Sequence, residues 1–125
     1  MKFLDITRAL VAKDPGNTEW RRDLTVNLNM IGDTLKRQGD LPGAITAYRE
    51  SLGIRRELAA QDPGNAQWQA DLALALWRLA RAGDEPRSRL SEALMILKRL
   101  NTEDRLTPTQ RGWIAAIEGE LARLP

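Results

Sequence analysis

One short pattern occurs twice in this chain, and the second copy follows the first by 48 residues. Asp-Pro-Gly-Asn occupies positions 14–17 and again 62–65, and Trp-x-x-Asp-Leu follows each copy. Apolar positions match across the same interval, as in Leu10 with Leu58 and Leu28 with Leu76. Self-similarity at a period of roughly 20–50 residues is typical of repeat proteins, in which one structural unit stacks on the next. The chain is therefore predicted to consist of repeated units.

The first part of each unit has the pattern of an amphipathic helix. Between residues 18 and 38, apolar side chains recur every three or four positions, which places them on one helical face. Gly39 is predicted to end this helix in the left-handed conformation, and Asp40 to cap the next one. The apolar positions are Trp20, Leu24, Leu28, Ile31 and Leu35.

A second helix is predicted over residues 41–61, with Pro42 in its first turn, where a missing N–H is harmless. It stops at Asp62-Pro63, because proline cannot continue a helix and restricts the residue before it. Gly64 permits the turn, and Asn65 can cap the helix that follows. The repeated Asp-Pro-Gly-Asn is thus interpreted as a joint between helical hairpins.

The same reading covers the rest of the chain. Residues 2–13 match the second helix of a unit whose first helix is absent, either because a longer array was cut or because this half-unit is a cap. A shortened hairpin is predicted at 66–82 and 87–101. A capping box from Thr107 to Gln110 opens a last helix at 108–123. We expect one all-α domain over residues 1–125, with about six antiparallel helices.

These residues resemble the tetratricopeptide repeat family. Leu28-x-x-Ile31-Gly32-x-x-Leu35, then Gly39, Ala44-x-x-x-Tyr48 and Pro63, follow its pattern of W-x-x-L-G-x-x-Y, A-x-x-x-F and P. The resemblance implies a right-handed α-solenoid. The usual unit has about 34 residues, and one additional heptad in each helix accounts for the greater length here. Long units with this joint are similar to those of bacterial tetratricopeptide arrays, which often accompany signalling or effector domains.

Composition excludes several kinds of chemistry. The chain has no Cys and no His, which removes disulfides, thiolate nucleophiles, Cys/His zinc sites and imidazole catalysis. No phosphate loop, G-x-S-x-G motif or metal-spaced carboxylate set is present. We therefore expect neither enzymatic activity nor a cofactor. The chain has no apolar run near the roughly 20 residues of a membrane helix and no signal-peptide pattern, so a cytoplasmic location without membrane association is predicted.

The family resemblance also implies a binding surface. In tetratricopeptide proteins, the stripe of the first helix opposite its core face lines a groove that holds a partner peptide or protein. Trp77 admits two interpretations here: an anchor for that partner, or a residue packed under the last helix. The matching stripe positions are Arg22, Val26, Asn29, Asp33, Lys36 and Arg37 in the first unit, and Leu74, Trp77 and Arg81 in the second.

The identity of the partner is open. Some members of the family bind a C-terminal carboxylate, but Asp33 would repel one, so this specificity is not carried over. Nucleic acid is disfavoured, since the net charge is only +2 and the basic clusters have acidic neighbours. The alternative function is self-assembly of a larger chain through the end helix, whose apolar residues are Phe3, Leu4, Ile6 and Leu10.

Overall fold

The computed structural model describes the backbone of residues 2–125 and the side chains from Asp5 onward. This part of the chain forms six α-helices and no strand, which confirms the all-α class. None of these helices combines the length and the apolar character needed to span a membrane. The helices are α1 (Lys2–Lys13), α2 (Thr18–Arg37), α3 (Leu41–Gln61), α4 (Ala66–Arg81), α5 (Pro86–Thr102) and α6 (Pro108–Ala122).

Both copies of Asp-Pro-Gly-Asn form the same helix cap. The Asn17 side chain accepts a hydrogen bond from the Trp20 amide at 3.1 Å, and the Asn65 side chain accepts one from the Trp68 amide at 3.0 Å. Each asparagine thereby pairs one of the amide donors that the first turn of a helix leaves without a backbone partner. The repeated motif marks the beginning of α2 and of α4.

Glycines end these two helices. Gly39 has φ of +85° and Gly83 has φ of +91°, a left-handed conformation that glycine adopts without a steric penalty. Asp40 follows Gly39, and its carboxylate accepts a hydrogen bond from the Gly43 amide at 3.0 Å. Gly83 comes one turn earlier in its unit than Gly39, so α4 has 16 residues where α2 has 20.

The chain divides into two compact units, residues 1–58 and 59–125. The first unit holds α1, α2 and α3 as far as Leu58. Asn27 on α2 donates a hydrogen bond to Thr7 on α1 at 2.7 Å. The core of this unit contains Leu24, Leu28, Ala44, Tyr48 and Leu52.

Two small residues bring α2 and α3 together. A Cβ atom at Gly32 would overlap the ring of Tyr48, so only glycine leaves room for that ring. Ser51 is fully buried and donates a hydrogen bond to the Thr25 carbonyl at 3.5 Å. The Tyr48 hydroxyl donates to the Asp33 carboxylate. These contacts fix the rotation of α2 about its axis and hence which side chains face outward.

The second unit packs α4, α5 and α6. Its core consists mainly of leucine and alanine, with Ile117 of α6 fully buried. Gln69 is buried, and its amide donates to the Ala59 carbonyl at 3.0 Å. Asp84 is buried and forms an ion pair with Arg89 at 3.0 Å. The buried leucines are Leu72, Leu76, Leu79, Leu90, Leu97, Leu100 and Leu106.

Candidate functional site

The stripe predicted on α2 lies in the first unit, and its members differ in exposure. Arg22, Lys36 and Arg37 are exposed, and 50% of the Val26 surface is accessible to solvent. Asn29 is buried, with 6% exposed, so it is not available to a partner. Asp33 is half-buried and holds the Tyr48 hydroxyl. The accessible stripe therefore consists of one apolar residue and several charged ones.

Sequence reasoning missed Met30 on this surface. Its side chain is 62% exposed, more than that of Val26 one turn before it. Residues four apart on a helix are neighbours, so the two side chains form one apolar strip on the outside of α2. The sequence contains a signal for this residue, because Met30 is an apolar residue that lies off the core face of α2 and between two positions of the predicted stripe.

The stripe predicted on α4 lies in the second unit and is largely covered. Leu74 is half-buried, and Trp77 is only 8% exposed. Arg81 is the accessible member, with 55% of its side chain exposed. The two stripes belong to different units, since α2 lies in the first and α4 in the second.

Trp77 lies at the centre of a cluster that joins α4 to α6. Its indole Nε1 donates to Glu120 Oε2 at 2.9 Å, and its ring meets that of Trp113 edge to face, with 6.2 Å between centroids. The guanidinium carbon of Arg81 lies 4.5 Å from the centroid of the Trp77 ring, a cation–π distance. These contacts give Trp77 the packing role that was the alternative to a partner anchor.

The Glu120 carboxylate completes this cluster. Arg81 donates to it from Nη2 at 2.9 Å and from Nε at 3.4 Å, and Trp77 donates to the same carboxylate. The hydrogen bond from Arg81 lowers the pKa of Glu120 below its ordinary value, and the bond from Trp77 acts in the same direction. Glu120 and Trp113 were not among the predicted site residues, because no local pattern relates them to α4.

The end helix α1 was the candidate for self-assembly. Ile6 is 56% exposed and Leu10 is half-buried. The side chains of Phe3 and Leu4 lie outside the described residues. The exposed side chain of Ile6 is therefore the one observation in the described part of α1 that favours self-assembly.

Other features of the described side chains offer little chemistry. No three His, Cys, Asp or Glu side chains from Asp5 onward come together as metal ligands. A shallow depression of about 410 Å³ lies at the beginning of α5, lined mostly by apolar atoms of Pro86, Leu124, Pro125 and their neighbours.

Comparison with known proteins adds no assignment. No protein-family model, no curated protein and no solved structure matches this chain. The resemblance to tetratricopeptide repeats therefore depends on the residues quoted above.

Proposed function

We propose that this chain is a protein-interaction module, a tetratricopeptide-like α-solenoid that binds a segment of a partner protein. Binding uses the outer face of α2, with Val26, Met30, Arg22 and Arg37. The solenoid arrangement of the repeats is part of this proposal.

The observation that carries the proposal is the exposed apolar strip of Val26 and Met30 between charged side chains. A single exposed apolar residue is ordinary on a protein surface. Two adjacent ones on a helix form a small contact surface, and Arg22 and Arg37 at its borders supply polar contacts that orient a partner.

Binding to this surface costs little conformational entropy in the module. Gly32 against Tyr48, the buried Ser51 and the Asn17 cap hold α2 in place before a partner arrives. Only the side chains on the outer face must become ordered, so the ordering part of the cost of binding is small. A docking helix or extended segment is a common partner for such a face.

Selection from a displayed peptide library tests this proposal without a known partner. We expect peptides with micromolar affinity whose binding is lost in Met30→Glu and weakened in Arg37→Glu. Met95→Glu is the matched control, since Met95 is 68% exposed on α5 in the other unit. Selected peptides that bind all three variants equally would contradict a site on α2.

Self-assembly through α1 is the second candidate function, favoured by the exposed Ile6. Its test is sedimentation of the protein beside Ile6→Glu and a Leu4→Glu, Leu10→Glu variant at tens of micromolar. A monomeric wild-type protein at these concentrations would contradict it.

A further inference from the structure

Charged residues are arranged symmetrically about the apolar strip of α2. Glu19 and Arg37 are both exposed and lie 18 residues apart. Because a helix has 3.6 residues per turn, 18 residues are five complete turns, and the two side chains lie on one line along the helix, about 27 Å apart. Their midpoint is at residue 28, and the midpoint of Val26 and Met30 is also at residue 28.

This arrangement is complementary to itself when reversed. If a second α2 lies antiparallel against the first, a two-fold axis at the level of residue 28 relates them. That axis places Glu19 opposite Arg37 of the second copy, and Val26 opposite its Met30. An isologous contact repeats each pairing, so two ion pairs flank an apolar centre of four side chains.

The remaining charges on this face fit the same geometry. Arg22 and Asp33 lie on one side of the stripe with their midpoint near residue 28. Arg22 of each copy therefore faces Asp33 of the other copy. Both also interact within their own chain, as Asp33 does with Tyr48, and they supplement the contact. Asp23 lies on the opposite side of the stripe from Asp33, so these two carboxylates do not meet across the axis.

We propose that a second copy of this chain docks on the outer face of α2, antiparallel, with Glu19 paired to Arg37 across the two-fold axis. This dimer contact lies on α2 rather than on α1, and it does not depend on the partner of the proposed function. It has a consequence for that function: because dimer and partner use the same strip, the two compete.

The dimer is expected to be weak. The contact extends over one helix face and is smaller than the standard interface of about 1,600 Å². We expect a dissociation constant on the order of 100 µM, typical of such small contacts. Exposed ion pairs add modest affinity but specify orientation, which is what the experiment measures.

Sedimentation equilibrium between about 10 µM and 1 mM tests the dimer by charge exchange. Glu19→Arg and Arg37→Glu should each weaken self-association about tenfold, because each variant places like charges opposite each other twice. An equimolar mixture of the two variants should associate as well as the wild type, because every opposed pair is attractive again. Met30→Glu should abolish association, and its control Met95→Glu should not.

Disulfide cross-linking is a second readout. It uses cysteine variants instead of charge variants, so it tests the dimer even if a charge variant is unstable. The natural chain has no cysteine, so Val26→Cys mixed with Met30→Cys should form a disulfide-linked pair on oxidation, whereas Met95→Cys should not. Circular dichroism checks that each variant retains its helices.

Three results would overturn the proposal. A wild-type protein that is monomeric to 1 mM assigns the strip to a partner of different sequence. A dimer insensitive to Met30→Glu uses another surface, such as α1. A dimer that Met30→Glu disrupts but that the mixed charge variants do not restore is not antiparallel through Glu19 and Arg37.

Discussion

Trp77 and Glu120 are 43 residues apart in the chain and are joined by a hydrogen bond of 2.9 Å from the indole nitrogen to the carboxylate. Arg81 binds the same carboxylate while lying over the indole ring. One aromatic ring, one cation and one anion thus connect α4 to α6, and each side chain makes contact with the other two.

Replacing Trp77 should chiefly affect stability. Trp77→Ala removes a side chain that is 8% exposed, and we expect a loss of about 3–5 kcal/mol in the free energy of unfolding. Trp77→Phe keeps an apolar ring but removes the hydrogen bond to a charged group, for about 1–3 kcal/mol. Urea unfolding followed by circular dichroism measures both. An alanine variant as stable as the wild type would show that the ring contributes little to packing.

The Glu120 cluster should make stability depend on pH. Since the pKa of Glu120 is lowered in the folded state, its contribution is fully present above the unfolded pKa of about 4.3 and is lost as the pH falls through the folded-state pKa. We therefore expect the stability difference between wild type and Glu120→Gln to be largest near neutral pH and to shrink below pH about 4.

Glu118→Gln is the control for this experiment. It removes a carboxylate from the same helix, but that carboxylate pairs with Lys98 at 3.2 Å in a largely exposed position, where an ion pair contributes little. Its effect on the free energy of unfolding should be small. A stability difference for Glu120→Gln that stays constant between pH 3 and pH 7 would exclude the proposed role of its charge.

Two glycines should respond oppositely to the same substitution. Gly32→Ala introduces a Cβ atom into the space of the Tyr48 ring, and overpacking of this kind costs about 1–3 kcal/mol. Gly53 lies exposed in α3, and a Cβ atom there meets nothing within 4 Å. Gly53→Ala should therefore stabilise the protein by up to about 1 kcal/mol through helix propensity. Thermal melts of both variants check the pair, and equal shifts in one direction would contradict the close approach.

The helices could be predicted from the sequence because their signals are local. The asparagine caps, the left-handed glycines and the apolar period each involve residues within a few positions of one another. Exposure could not be predicted in the same way. Asn29 shares a helix face with Val26, yet Asn29 is buried and Val26 is half exposed. Burial depends on what packs over each position, and that is a tertiary property.

The candidate site likewise has residues that local sequence patterns predict and residues that only tertiary packing brings together. Repeat positions predicted the stripe on α2. They did not predict Met30, because this apolar residue has no counterpart in the family pattern. Glu120 could not be found at all, because its relation to Trp77 arises only when α6 folds against α4.

The repeated asparagines provide a last test, in which two copies of one motif should behave alike. Asn17→Ala and Asn65→Ala each remove a side-chain acceptor from a first-turn amide, and each should cost about 1 kcal/mol. Asn17→Ser and Asn65→Ser should recover most of the loss, because serine caps a helix nearly as well. Since the two caps lie in different units, the double alanine variant should lose about the sum of the two effects in urea unfolding. A serine variant as unstable as the alanine variant would mean that the asparagine acts through something other than the amide it accepts from.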